Sequence, residues 1–206
     1  KEFWHHGPQV DESFDSRIAS NINVKEVQAF NDQCDLLFNQ LNNLGIEVLR
    51  AIALILNLDS KFFDDWALKG NSILRLIHYP PVSNSSNTLR ARAHGDINLI
   101  TLLVGAEESG LEVLSPDGDW IPIVAKSKSI VCNIGDMMEL VTRSQLKSTT
   151  HRVVDNNTKT SKSRYSMPFF LHPSPEIDLC SIVDDSTESI SAHDFLEQRL
   201  KEIKLY

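Results

Sequence analysis

The stretch "ARAHGDINLITLL", residues 91–103, sets a histidine, a glycine and an aspartate directly ahead of an apolar run. The alternation reads as a β-strand, in which residues i and i+2 face the same side. His94 and Asp96 would then share a face, with Gly95 turned away. A carboxylate next to an imidazole is costly in a core unless something neutralises it. A bound metal does so, if a third ligand arrives from elsewhere in the chain. His151, in "STTHRVVD" (residues 148–155), leads another short apolar strand and is the best candidate.

Around this stretch the chain changes character twice. From Val27 the apolar residues Val27, Phe30, Cys34, Leu37, Leu41, Leu44, Val48 and Ile52 recur every three or four positions, the period of an amphipathic helix. Asn23 and Glu26 have the spacing of a capping box at its start, and Gly45 inside the stripe suggests a close packing contact. A second short helix is expected after Ser60, carrying Phe62, Phe63 and Trp66 and stopped by Gly70. The period then falls to two. "SILRLIHYPP", "LRARAHGD", "INLITLLVG", "LEVLS", "WIPIV", "SIVCNIG", "THRVVD" and "RYSMPFFLH" are short, β-branched or aromatic, and bounded by turn residues. "PVSNSSNT" reads as a loop and "SPDGD" (residues 115–119) as a hairpin turn. "GDMMELV" reads as a one-turn helix capped by Asp136 with Glu139 three residues on. The tail is a final amphipathic helix announced by Ser191 and Asp194. Many short strands at close spacing indicate a sandwich or jelly roll. No internal repeat is visible.

The bulk numbers fit that picture. At 206 residues the chain is long enough for one domain with its own core. A hydrophobic share of 41% with 23% charged residues is ordinary for a globular protein, and no run reaches membrane-span length. A net charge of −8 with no basic block argues against nucleic-acid binding. Three scattered cysteines do not make a disulfide framework. With an opening "KEFWHHG" that lacks a leader pattern, they predict a reducing, cytoplasmic setting. The acceptor-like triplets at Asn84 and across Asn157 (Asn156 to Thr158) are then only polar loops. Cys132, in an apolar strand, reads as a small hydrophobe.

Two histidines and one carboxylate on one face, with positions left open, are the expected ligand set of non-haem Fe(II); a zinc hydrolase uses the same residue types. A second pair narrows the choice. "SRYSMPFF" carries Arg164 and Ser166, again at i and i+2. An arginine pointing into a barrel needs an anion, because it cannot shed its charge. Its planar fork suits a carboxylate, which the serine hydroxyl can also bond. A metal face with a carboxylate receptor one strand away suits a small dicarboxylate that chelates the metal at one end and is anchored at the other.

His94-x-Asp96, His151 and Arg164-x-Ser166, in that order, resemble the isopenicillin N synthase-like family of Fe(II)/2-oxoglutarate-dependent dioxygenases. "LRLIHYPP", "GLEVLSPDGDWIPI", "IVCNIGDMMELVT" and "RYSMPFFLHPSP" read like segments of that family, and "KEFWHHG" and "FLEQRLKEI" like its bacterial members. The resemblance implies a mainly β fold with flanking helices. This is a double-stranded β-helix (a cupin-like jelly roll) packed against the long N-terminal helix. It implies one domain over residues 1–206: a helical supporting part to residue 70, the β core over 71–180, and a tail with a helix over 181–206. His94, Asp96 and His151 would bind iron. Arg164, Ser166 and Tyr79 would hold 2-oxoglutarate. The chemistry implied is decarboxylation of 2-oxoglutarate to succinate and CO2 with O2. In that chemistry an iron(IV)-oxo species would then hydroxylate, desaturate or cyclise a small molecule. Many members carry asparagine where this chain has Ile77, and many carry a further segment ahead of the "KEFW" point.

Arg90 and Arg92 share strand parity with His94 and Asp96 and are candidate contacts to an acidic prime substrate. Ala91 and Ala93 read as packing, Met137 and Met138 as core filler, His78 as a structural or surface residue and His172 as solvated. His5 and His6 adjoin Trp4 in a segment able to cover the pocket. The protein is expected to act on a small molecule as a monomer or weak homo-oligomer, without nucleic acid or membrane. Three alternatives stay open: a degenerate binding module on the same fold, a 2-oxoglutarate-independent oxidase of the same family, and a metal-dependent hydrolase or isomerase on a cupin-like barrel.

Overall fold

The computed structural model describes residues 1–81, 89–104, 110–154, 163–184 and 187–202. The loop read in "PVSNSSNT" falls, from residue 82 on, outside the described residues, as do Asn84 and Asn157. In chain order the elements are β1 (Glu2–His6), α1 (Phe30–Ile55), α2 (Asp64–Ala67), β2 (Ile73–Tyr79), β3 (Leu89–His94), β4 (Ile100–Val104), β5 (Leu111–Leu114) and β6 (Trp120–Pro122). Then follow β7 (Ile130–Ile134), α3 (Asp136–Val141), β8 (His151–Val154), β9 (Arg164–Leu171), β10 (Asp178–Cys180), β11 (Ser189–Ser191) and α4 (Ala192–Glu202).

Two antiparallel sheets face each other across the site. The larger has the order β1-β2-β9-β4-β7 and the smaller β3-β8-β5-β6; β10 and β11 form a separate ribbon. Strand alternation gives the larger sheet two different faces. Leu74, Leu102, Phe169 and Leu171 turn outward and are fully buried against α1, which contributes Phe38, Leu41, Leu49 and Ala53 to the same core. Each such side chain contributes about 1.5–3 kcal/mol by leaving water. Met137 and Met138 are buried core residues. Arg75, Ile77, Tyr79, Arg164, Ser166, Pro168 and Phe170 turn inward to the cavity.

Several local expectations need correction. The helix begins at Phe30, and its N-cap Ala29 is left-handed with no side-chain cap. Asn23, taken as a cap, instead accepts a bond from Asn31 Nδ2 at 2.7 Å. The buried stripe runs Cys34, Phe38, Leu41, Gly45, Leu49, Ala53, so Val27 and Leu44 are exposed. The sheet, not the most apolar face, sets the helix rotation. Gly45 sits where a Cβ would lie 2.3 Å from Leu171 Cδ1, the close contact its place in the stripe suggested. Ser60 caps nothing in α2, whose N-cap is Phe63 without a side-chain bond. Asp136 is the first residue of α3 rather than its cap, which is Gly135. The Asp136 carboxylate accepts from Arg199 at 2.9 Å, while Glu139 accepts from the Ser148 amide at 2.7 Å. The Ser191 signal does work as read: its Oγ accepts from the Asp194 amide at 3.0 Å at the start of α4. Residues 2–6 are a strand at the edge of the larger sheet and not part of a helical segment. Cys132 is exposed because its register puts it on the outer side of β7. His172 is buried, not solvated, and burial pushes its pKa down to about 4.

Candidate metal centre and cosubstrate pocket

The strand reading of His94 and Asp96 holds for one residue only. β3 ends at His94, after register shifts against β8 between Leu89 and Ala91 and again between Ala91 and His94. Asp96 lies beyond the strand, in a loop clamped by the start of α3. The Asp136 amide donates to the Asp96 carbonyl at 2.7 Å, and the Met137 amide to Ile97 O at 3.1 Å. Those are first-turn N–H groups that no intrahelical carbonyl can satisfy, so the loop and the helix end complete each other. Gly135 permits the approach: a Cβ there would lie 2.1 Å from the Asn98 carbonyl oxygen.

The three predicted ligands converge. One ligand atom from each of His94, Asp96 and His151 lies within 4.8 Å of the others. The imidazoles of His94 and His151 have centroids 4.5 Å apart. Each is oriented from behind: His94 Nδ1 donates to Arg92 O at 2.7 Å, and His151 Nδ1 to Thr149 O at 3.0 Å. Those bonds fix the tautomer that leaves Nε2 as a lone-pair donor, the usual support of a metal-binding histidine. His94 keeps an exposed edge, yet desolvation of its ring and then the neighbouring His151 lower its pKa, which favours the neutral ligand form.

Asp96 is prepared in the same way. Its Oδ2 accepts from Thr101 Oγ1 at 2.7 Å and from Asn133 Nδ2 at 2.8 Å. Its Oδ1 points to His151 Nε2, 3.8 Å away. One oxygen is therefore held by the protein and the other is offered to the site. Sequence reasoning missed Thr101 and Asn133. Both are polar residues on otherwise apolar strands, and that was the available signal. A buried carboxylate with one free oxygen and two imidazoles with free Nε2 atoms fit a divalent transition metal.

Much of the remaining lining of the cavity is apolar, Leu103, Leu111, Val113, Val131 and Val153 among it. The ladder between β2 and β9 pairs Tyr79 with Arg164 and Ile77 with Ser166, so the three predicted cosubstrate residues sit side by side. All three are buried. The Arg164 guanidinium lies over the Tyr79 ring, 5.3 Å from its centroid. Burial raises the Tyr79 phenol above its ordinary pKa, against the pull of the Arg164, Arg75 and Arg90 charges. Ile77 puts an aliphatic side chain on this wall.

Arg90 and Arg92 are not among the residues lining the cavity; the Arg90 guanidinium stands over the Tyr79 ring, 6.0 Å from its centroid, and Arg92 is exposed. The register shifts in β3 break the parity that put them with His94. Arg75, unremarked in the sequence, does line it. Strand parity with Tyr79 was the signal that would have found it. His78 bonds Glu2 and Ser163, both at 2.9 Å, away from the site.

Residues 70–173 match the model of the 2OG-Fe(II) oxygenase superfamily. A 2-oxoglutarate-Fe(II) type oxidoreductase of Emericella nidulans, hxnY, is 32% identical over 157 residues, 74% of this chain and 44% of that protein. A 2OG-Fe(II) oxygenase family protein from Caulobacter crescentus superposes with a TM-score of 0.91 at 44% identity, covering 97% of this chain and 69% of that one. A full-length Neurospora crassa protein, solved in complex with alpha-KG and thymine, gives 0.85 at 28% identity, covering 98% of this chain and 64% of that one. The chain spans about half the length of the curated relatives it matches. With its jelly-roll sheets, its family match and its His-Asp-His cluster, the chain belongs to the 2OG-Fe(II) oxygenase superfamily.

Proposed function

We propose that this protein couples oxidative decarboxylation of 2-oxoglutarate to oxidation of a small molecule. The observation that carries the reading is one cavity with a two-histidine, one-carboxylate cluster at one end and a buried Arg-Ser-Tyr group at the other. His94, Asp96 and His151 hold Fe(II). Arg164 and Ser166 bind the far carboxylate of 2-oxoglutarate, and Tyr79 packs beside it. Iron with 2-oxoglutarate and O2 supplies the oxidant. The chain's own residues orient both partners and keep water from the apolar part of the cavity. Thr101 and Asn133 hold the metal carboxylate in place. The prime substrate enters near the metal end, and hydroxylation, desaturation and cyclisation are the outcomes open to it. Related proteins are named for small-molecule chemistry, among them 2'-deoxymugineic-acid 2'-dioxygenase of Hordeum vulgare. We place the whole chain in one catalytic unit, acting in a cytoplasmic setting as a monomer or weak homo-oligomer. The cysteines are free, and no helix among the described residues is long and apolar enough to cross a membrane.

The test is turnover. Protein reconstituted with Fe(II) in air should convert 2-oxoglutarate to succinate, slowly alone and faster with a competent substrate. Absence of succinate above a His94→Ala, Asp96→Ala control would contradict the reading.

A further inference from the structure

Among the described lining residues, Arg75 and Lys1 are the cations that the proposed metal and cosubstrate leave unassigned, and Arg75 is the inward-facing, oriented one of the two. It stands on β2 opposite His5 of β1, and its Nε donates to His5 Nε2 at 2.7 Å. The guanidinium is sandwiched between two phenyl rings, 5.1 Å from Phe3 and 4.8 Å from Phe170. That packing holds the planar fork in one orientation. His5 is no counter-ion: burial and the Arg75 charge lower its pKa to about 4, so it accepts as the neutral imidazole. Burial disfavours the Arg75 charge, and the Asp96 carboxylate is the leading influence in the other direction. Arginine nevertheless stays protonated.

The charges along the cavity do not balance. Lys1, Arg75 and Arg164 are cations, and Asp96 is the only carboxylate among the described lining residues. Bound Fe(II) and the 2-oxoglutarate dianion cancel each other and leave the excess in place. Arg164 is taken by the cosubstrate and Asp96 by the metal. Position separates Arg75 from the cosubstrate end. It neighbours Phe170, which pairs across the sheet with Thr101, the residue that holds Asp96. Arg164 lies two ladder steps beyond Ser166, beside Tyr79. Arg75 therefore stands at the metal end, where the prime substrate has to lie.

We infer that the prime substrate is a small carboxylic acid whose carboxylate is received by the aromatic-sandwiched guanidinium of Arg75. A planar fork fixed between two rings, with one edge occupied by His5, leaves its remaining N–H groups for a planar anion. A carboxylate matches that geometry in bidentate fashion. Lys1 also lines the cavity and is a second cation there. This inference rests on the dioxygenase reading, because it takes the metal and the cosubstrate to occupy their own residues.

The test compares small monocarboxylic acids with their methyl esters as probes, on protein loaded with Mn(II) and 2-oxoglutarate so that nothing turns over. Binding is read by ligand-observed NMR for the wild type, Arg75→Gln and Arg75→Lys. At least one acid should outbind its ester by roughly 10-fold or more, as a charged hydrogen-bonded contact implies. The preference should vanish in Arg75→Gln and be partly kept in Arg75→Lys. Thermal unfolding of both variants, and an unchanged 2-oxoglutarate affinity, exclude simple misfolding. No acid preference in the wild type, or an undiminished one in a folded Arg75→Gln, overturns the inference. So does a loss of 2-oxoglutarate affinity in Arg75→Gln with acid preference intact, which would assign Arg75 to the cosubstrate. Failure of the wild type to bind 2-oxoglutarate at all would instead strike the underlying reading.

Discussion

The two ends of the cavity are built by different means. At the anchor end, Tyr79, Ser166 and Arg164 are placed by an unbroken antiparallel ladder, and register alone puts them together. At the metal end the backbone is irregular. β3 shifts register, Asp96 has left the strand, and each ligand is fixed by a bond from behind: a carbonyl for each histidine, Thr101 and Asn133 for the aspartate. A ladder tolerates loss of one side chain without moving its neighbours. A site assembled from hydrogen bonds in a loop does not. Substitutions at the two ends should therefore differ in kind as well as in size.

Removing a ligand is the largest expected effect. Asp96→Ala should lower iron affinity by more than the roughly 10–100-fold that loss of an outer hydrogen-bond partner costs, and abolish turnover. Equilibrium dialysis with Fe(II) measures it, and iron affinity within a few-fold of wild type would break the comparison at its root. Next come the supports. Asn133→Ala or Thr101→Val should weaken iron by roughly 10–100-fold while the protein stays folded; metal titration followed by circular dichroism separates the two. Gly135→Ala tests the same end through the backbone. Its new methyl meets the Asn98 carbonyl oxygen, so both the melting temperature and iron affinity should fall. At the anchor end, Arg164→Ala should weaken 2-oxoglutarate by roughly 10–100-fold, the worth of hydrogen bonds to a charged group, yet leave iron affinity nearly unchanged. A parallel loss of iron would mean that the two ends are not independent.

The smallest effect concerns pH. His172 is buried with a pKa near 4, below the ordinary 6.5 of an unfolded histidine. Between those values the unfolded chain binds the proton and the folded one does not. Stability should thus fall as pH drops from about 6.5 toward 4 and level off below that. His172→Gln should flatten this part of the profile in urea titrations; an unchanged slope would mean that other groups carry it. His5, also lowered to about 4, adds to the same window.

How far the sequence could be read follows the same division. Arg164-x-Ser166 was legible because an intact strand keeps i and i+2 on one face. His94 and Asp96 were rightly joined, though the strand ends between them and a helix terminus, not parity, brings Asp96 round. The same assumption selected Arg90 and Arg92, but the register shifts in β3 break their parity with His94, and Ala91 is the residue of that stretch that lines the cavity. Arg75, on the regular strand β2, obeyed parity with Tyr79 but carried no motif to draw notice. The rotation of α1 was set by the sheet beneath it, which no helical period encodes. His172 follows an apolar strand and precedes a proline, yet it is enclosed by Ser72 and the turn after α2 in space, about a hundred residues away in sequence.

The central claim is that one cavity holds iron and 2-oxoglutarate together, each on its own residues. An anaerobic titration of the Fe(II)-loaded protein with 2-oxoglutarate, following the weak visible absorption of the iron chelate, tests it most directly. The band should appear in the wild type, be absent in Asp96→Ala, and be reached in Arg164→Ala only at roughly 10-fold or more higher 2-oxoglutarate. Iron that binds tightly and gives no band at saturating 2-oxoglutarate would contradict the claim.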